Sequence, residues 1–483
     1  MKKAFIFLQV AIISSVAFAD NENFDGQDVS GRSFSGSYVN SCWVGSIAIG
    51  TYFSGYYTKS DYSNANFSNA NLTAATFWEA TLTGANFTNA IIKHAYFSDT
   101  TSKGFTEAQL KSTKSYQEKD LGRINLGGND LSGWNFSEQN LEKASFYNAT
   151  LTSAKLSKTN LTSADFNSAN LASADFTNAI IKDTNFSNAT SFTEEQLKST
   201  KSYQEKDLSG IKLLYNDLSG WDFNEQNLSS ADFLGATLTG TSFTNAIIKG
   251  ARFSSIAKDQ LLSTKSYQEK NLEGTSFLQC DFSGIDFSNA NLNSASFSFT
   301  ALAGSNFNNA TIKGANFSGT TSKGFTEAQL KSTKSYQEKN LSSINLGNND
   351  LNGWNFSGQN LTSANFENAS LANADLSNAT INGANFSGTT LKGFTEAQLK
   401  STKSYQEKNL GSINLGNNDL NGWNFSGQNL TSASFENASL ANADLSNATI
   451  NGANFSGADL RGANLDYVVG NLTYNNTKKH NND

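Results

Sequence analysis

The sequence predicts an all-β solenoid of stacked five-residue units, interrupted by short helical excursions. Two observations lead there. Between Tyr405 and Leu465 the residues Leu410, Leu415, Leu420, Phe425 and onward to Leu465 fall five apart without a slip, and seven of the twelve residues two places earlier are alanine. Neither the 3.6-residue period of a helix nor the two-residue alternation of a strand holds that spacing on one buried side. The second observation is composition: 483 residues with no proline, 36 phenylalanines and an excess of Ser, Asn, Thr, Ala and Gly. Such polarity alone would fit disorder, but the aromatic content in fixed phase argues for order, and the missing proline fits amides committed to a ladder.

Met1 to Ala19 reads as a secretory signal, with Lys2 and Lys3 at the start, an apolar stretch from Ala4 to Val16 and the small-x-small site Ala17-Phe18-Ala19. The stretch is shorter than the roughly 20 residues a bilayer needs. The mature chain is expected to begin at Asp20, without a lipid-bearing cysteine or a membrane span, in the periplasm, at the cell surface or outside the cell. Loss of the two lysines takes the formal charge from −7 to −9, a mild acidity that gives no reason to expect nucleic acid as a partner.

Residues 20–56 are expected to form an N-terminal cap: the phase runs Phe24, Val29, Phe34, Val39, Val44, Ile49 and breaks at the aromatic cluster Tyr52, Phe53, Tyr56, Tyr57. Repeats fill 57–103, where the unit is A-[N/T]-[L/F]-x-x. Blocks follow at 104–190, 191–254, 255–322, 323–391 and 392–466, then a C-terminal cap and polar tail at 467–483. Each block begins with an interruption that ends near Tyr116, Tyr203, Tyr267, Tyr336 or Tyr405; the first interval is the longest, the second the shortest and the last two equal. In four of them Thr precedes Gln by three residues (Thr106/Gln109, Thr193/Gln196, Thr326/Gln329, Thr395/Gln398), the spacing of a capping box at the start of a short helix. The third, Ser255 to Gln260, lacks the Thr. Leu110, Leu197, Leu261, Leu330 and Leu399 are expected to face back onto the body. The last two blocks are near copies, a larger repeat laid over the small one.

In each unit the large central residue and the small residue two places before it are expected to point inward. One unit alone cannot be stable, because ordering five residues costs more than one buried Leu or Phe returns. Stacking on neighbours supplies the difference.

Segments such as Ala443-Asp444-Leu445-Ser446-Asn447 and Ala458-Asp459-Leu460-Arg461-Gly462 resemble the pentapeptide-repeat family, with consensus A-[D/N]-[L/F]-x-x. The resemblance covers most of the mature chain. It implies a right-handed, quadrilateral β-helix with four pentapeptides per coil. About 75 in-phase units would then make about 19 coils and, at roughly 4.8 Å between strands, a rod of about 90 Å if the interruptions leave the stack unbroken.

The chain departs from the consensus just after the interruptions. Trp134, Trp221, Trp354 and Trp423 occupy the small inward position, with Gln139, Gln226, Gln359 and Gln428 five residues on. Either each indole packs under its excursion helix, or the four form an aromatic binding platform for a glycan or a partner protein.

Nothing in the sequence assembles a catalytic centre. Of two histidines, His480 lies in the tail and His94 at an outward place, and Glu194-Glu195 fits the first turn of a helix. Cys42 and Cys280 stand at small inward positions, many layers apart, too far for a disulfide. The Asp and Asn files lack the glycine-rich pattern of a calcium-binding β-roll, and the Lys-Ser-Thr-Lys-Ser-Tyr-Gln-Glu-Lys copies read as solvated helix ends. No cofactor or metal is expected. The expected function is that of an exported, non-enzymatic structural or interaction protein whose partner is an unidentified protein or glycan, with end-to-end or dimer contact as a further expectation. The alternative that the resemblance implies, a DNA-mimicking inhibitor or protector of DNA gyrase, fits poorly with an export signal and with outward positions that are mostly uncharged.

Overall fold

The computed structural model describes residues 26–30, 36–39, 42–43, 57–58 and 60–471. The expected signal segment, most of the expected N-terminal cap with Tyr52, Phe53 and Tyr56 of its aromatic cluster, and the tail with His480 lie outside the described residues. The chain forms two compact units, Met1–Asp222 with Gln226–Thr237, and Phe223–Glu225 with Leu238–Asp483.

Each unit is a right-handed, four-sided β-helix. The coil length is set by the pairing: Asp120 bridges Asn140, Asn140 bridges Asn160 and Asn160 bridges Ile180, all in parallel, as do Asn414, Ser434 and Asn454 in the second unit. Each such step spans four five-residue units, which therefore close one coil. The corner between sides is a tight turn, as where the Ala65 amide donates to the Tyr62 carbonyl (3.1 Å) with Asn64 at φ 61°. This left-handed residue, two places after the central one, recurs along the chain most often as Asn, Ser or Gly. Glycine carries no Cβ penalty at φ > 0, and the short polar side chains suit the turn.

Inside, the central rings stack coil on coil. Phe77 and Phe97 lie 4.9 Å apart and nearly parallel, as do Phe435 and Phe455 at 5.0 Å, while rings on different sides meet edge to face. The alanines two places earlier are buried against the wall. Outward, many of the Asn and Asp before the centres accept from the amide two residues on, and some accept a second bond: the Asp165 Oδ1 accepts from the Asn167 amide (3.0 Å) and from the Asn185 side chain of the next coil (2.8 Å). These oxygens serve the turns and, in places, the ladder between coils.

The excursions do not break the ladder within either unit. Tyr96 bridges Asn125 and Asn185 bridges Lys212 in the first unit, while Arg252 pairs with Ser276, Asn316 with Asn345 and Asn385 with Asn414 in the second. A coil carrying an excursion is thus longer than four units, yet it returns to pair on the side it left. The additional chain holds paired short helices: α1 (Glu107–Ser112) and α2 (Lys114–Gln117), α3 (Glu194–Ser199) and α4 (Lys201–Gln204), α5 (Lys258–Ser263) and α6 (Lys265–Gln268), α7 (Glu327–Ser332) and α8 (Lys334–Gln337), α9 (Glu396–Ser401) and α10 (Lys403–Gln406). Leu110, Leu197, Leu261, Leu330 and Leu399 are all fully buried, facing the body as the sequence predicts.

Part of the segment expected to cap the stack is described near the start. Val29 is buried and Asp28 bridges Asn71, but the five-residue phase at Val39 does not continue as coil: Gly36–Val39 pairs antiparallel with Cys42–Trp43 and with Tyr57–Thr58. So short a run of spacing cannot distinguish a hairpin from a coil.

Candidate functional site

An excursion interrupts the row of backbone groups that the following coil would pair with, and side chains close the gap. In the last block the Asn424 amide donates to Glu396 Oε1 (2.7 Å) and the Asn424 carbonyl accepts from the Tyr405 hydroxyl (2.7 Å). Asn135, Asp222 and Asn355 are held the same way by Glu107 and Tyr116, Glu194 and Tyr203, and Glu327 and Tyr336. On the other side of the gap, Gln398 accepts from the Thr395 amide (2.8 Å) and donates to the Leu371 and Ala374 carbonyls (2.7 and 2.9 Å) of the preceding coil. The capping box is therefore also an edge cap. In the third excursion Ala257 stands at the N-cap, yet Gln260 keeps the bond to its amide (2.8 Å) and the two carbonyl bonds. Only the hydroxyl half of the box is lost.

The four predicted tryptophans sit at this junction. Phe325 stacks on Phe317 at 4.6 Å, continuing the internal column, and Trp354 leans on Phe325 at 6.1 Å. Phe105, Phe192 and Phe394 meet Trp134, Trp221 and Trp423 at 5.8 to 5.9 Å in the same manner. Trp221 and Trp354 are 9% exposed, Trp134 and Trp423 half-buried. In the third block Ile256, Ile285 and Ala290 take the places of Phe, Trp and Gln, and Lys258 replaces the edge-holding Glu. The aromatic anchor and the indole thus occur together or not at all. Beside each Trp, Gln139, Gln226, Gln359 and Gln428 are buried with Nε2 donating to the carbonyl of the excursion tyrosine (3.0 to 3.1 Å), while Oε1 accepts nothing.

One flank of Trp354 lines a groove of about 620 Å³. Its other walls include Thr321, Ser322 and Glu327 of the excursion, Asn348 to Asp350 of the next coil, and Lys392. Asn349 shapes it by accepting from the Thr321 amide (2.9 Å) and donating to the Phe317 and Leu346 carbonyls, and the Asp350 amide donates to the Thr321 hydroxyl (3.0 Å). The frame recurs beside Trp423, where Asn418 accepts from the Thr390 amide (2.9 Å) and the Asp419 amide donates to the Thr390 hydroxyl (2.9 Å). Beside Trp134 the same two bonds join Asn129 to Thr101 (2.9 Å) and Asp130 to Thr101 (3.0 Å). In this first copy the Ser132 hydroxyl holds the Asp130 carboxyl below the usual carboxylate range. The sequence pointed to the tryptophans; it carried no signal for the Asn at the groove floor, an unremarkable letter in a chain full of Asn.

The family model "Pentapeptide repeats" matches residues 63–101, 120–157, 154–190, 207–254, 270–298, 290–321, 340–378, 355–393, 409–447 and 429–466, more than half of the chain. The chain belongs to the pentapeptide-repeat family. The gaps between these matches coincide with the five excursions, so the helices are insertions into an otherwise regular family member. Among solved structures the chain is similar to HetL, a pentapeptide repeat protein involved in heterocyst differentiation regulation from Nostoc sp. strain PCC 7120 (20% identity, 61% of this chain and 88% of that one, TM-score 0.17). It is also similar to a pentapeptide repeat protein of the Arabidopsis thaliana thylakoid lumen (28% identity, 28% and 73% covered, TM-score 0.14). A third is QnrB1, a plasmid-mediated fluoroquinolone resistance protein (15% identity, 52% and 94% covered, TM-score 0.16). No curated protein matches the chain.

Among the described residues no group of three or more His, Cys, Asp or Glu is placed to hold a metal ion, and no helix is long and apolar enough to cross a membrane. His94 is exposed at a corner with φ 59°. Cys280 is buried and free, its thiol pushed up to about 12 by burial.

Proposed function

We propose that this is an exported, non-enzymatic interaction protein that engages a repetitive partner, protein or glycan, through equivalent grooves beside its excursions. The observation that carries the reading is the recurrence of one hydrogen-bonded frame, Thr101-Asn129-Asp130, Thr321-Asn349-Asp350 and Thr390-Asn418-Asp419, each beside a Trp. A catalyst needs one complete centre; a chain that repeats the same frame offers valency, where several weak contacts add through effective concentration. Export rests on the Met1 to Ala19 pattern.

Fractionation of producing cells with N-terminal sequencing tests the first half: the expected product begins at Asp20 outside the cytoplasm, and an uncleaved cytoplasmic chain overturns it. For the second half, Asp130→Ala, Asp350→Ala and Asp419→Ala are combined and the full chain is screened against surface glycans and surface-protein extracts. Binding that weakens stepwise with each groove removed supports the reading; binding indifferent to all three overturns it.

A further inference from the structure

The exposed aromatic rings of the first unit are not scattered. On the four-sided coil, Thr76, Tyr96, Asn125, Ser145, Asp165 and Asn185 form one continuous file of parallel bridges that goes on to Lys212. Trp78 and Tyr147 stand two places after Thr76 and Ser145, at the end of that side, and Tyr215, three after Lys212, stands at the corner that closes it (φ 60°). These are all the exposed aromatic side chains among the described residues of this unit, at 42% to 64% exposure. Counting bridges, Trp78 and Tyr96 are one coil apart, Tyr147 two coils on and Tyr215 three more, separations of about 5, 10 and 14 Å at the strand spacing.

Two of the rings are held. Trp78 Nε1 donates to Asp99 Oδ2 (3.2 Å), and Tyr215 lies over Gly235, where a Cβ would come within 2.3 Å of the ring. Between the rings the side is faced by short amides, hydroxyls and the bare backbone of Gly127 and Gly128. Glu79, Asp99 and Asp165 outnumber the cations Lys103 and Lys212, which disfavours a polyanion.

We propose that this side of the first unit binds a neutral polysaccharide lying along the stack. A pyranose has an apolar C–H face that an aromatic ring covers and a hydroxyl rim that amides and hydroxyls satisfy. Rings recurring at whole multiples of the coil rise match a polymer whose sugar units have a similar length. The surface is separate from the tryptophan grooves, and the inference rests on the reading of the chain as a binding protein.

Affinity electrophoresis of the full chain in gels containing hydroxyethylcellulose, xylan, galactomannan or, as anionic controls, alginate and DNA tests it. The expected result is retardation by at least one neutral polymer, weakened tenfold or more in Trp78→Ala/Tyr96→Ala/Tyr147→Ala/Tyr215→Ala and unchanged in the triple groove variant. Matching circular dichroism of wild type and variants excludes misfolding, and Tyr147→Ala alone, at an exposed ring, should already show part of the loss. Retardation by none of the neutral polymers, by the anionic ones alone, or equally in the quadruple variant overturns the proposal. Loss in the groove variant alone would leave the repeated-groove reading standing and remove this one.

Discussion

The tyrosine that ends each excursion shows how much one hydroxyl does here. Burial raises the pKa of Tyr116, Tyr203, Tyr267, Tyr336 and Tyr405 above the ordinary 10.0, and each hydroxyl donates to a strand-edge carbonyl at 2.6 to 2.8 Å. A group whose folded pKa is raised contributes stability that is complete below its unfolded value and lost as pH rises through the folded one. Unfolding midpoints should therefore hold up to pH 10 and fall above it, and Tyr336→Phe, which leaves the Asn355 carbonyl without its donor, should cost about 1 kcal/mol below pH 10 and flatten that fall. Cys280 follows the same sign between its ordinary 9.0 and about 12. In a Cys42→Ser protein its thiol should react with a disulfide reagent only after unfolding; rapid reaction of the native protein would contradict its burial. The glutamine beside each Trp is the opposite case, a buried Oε1 without a donor. Gln428→Met removes that oxygen together with the Nε2 bond to the Tyr405 carbonyl, which keeps the Lys408 amide as donor (3.0 Å), so the two losses offset and stability should change by less than about 1 kcal/mol in urea unfolding.

At the scale of the element, the helical excursion is a ladder gap sealed by its own side chains. Gln398 alone serves one amide and two carbonyls. Gln398→Ala should open the neighbouring coil locally, seen as roughly tenfold or faster amide exchange over residues 371–383 with little change beyond 430. Thr395→Ala, which removes only the hydroxyl cap, should act more weakly, as the third excursion already tolerates Ala257 in that place. The helix was legible from the Thr-x-x-Gln spacing, because capping is local chemistry. That Glu396 and Tyr405, far from Asn424 along the chain, hold its two sides was not, since the sequence alone does not say which coil lies above which. The same limit hid the aromatic side: Trp78, Tyr96, Tyr147 and Tyr215 have no common interval until the longer coils at the excursions are counted.

At the scale of the molecule, the five-residue spacing was enough for the fold because a strict period leaves little freedom once the corner, the small position and the centre are assigned. What the period did not disclose is that the blocks close. From Tyr267 to Tyr336, and again from Tyr336 to Tyr405, the chain makes one long coil and two ordinary ones; from Tyr116 to Tyr203 it makes one long coil and three. Within each unit, successive excursions therefore leave from the same side. Deleting Lys323–Leu391 should give a cooperatively folded chain with an unfolding midpoint close to that of the parent. Deleting a single unit such as 359–363 preserves the apolar phase but rotates everything after it by one side, and should lower the midpoint sharply in thermal circular dichroism. Whole-coil closure also bears on inheritance. Unequal crossing-over between near-identical blocks would alter the gene by a length that the protein accepts without shear, so reach and valency become quantities that recombination can change in a single step.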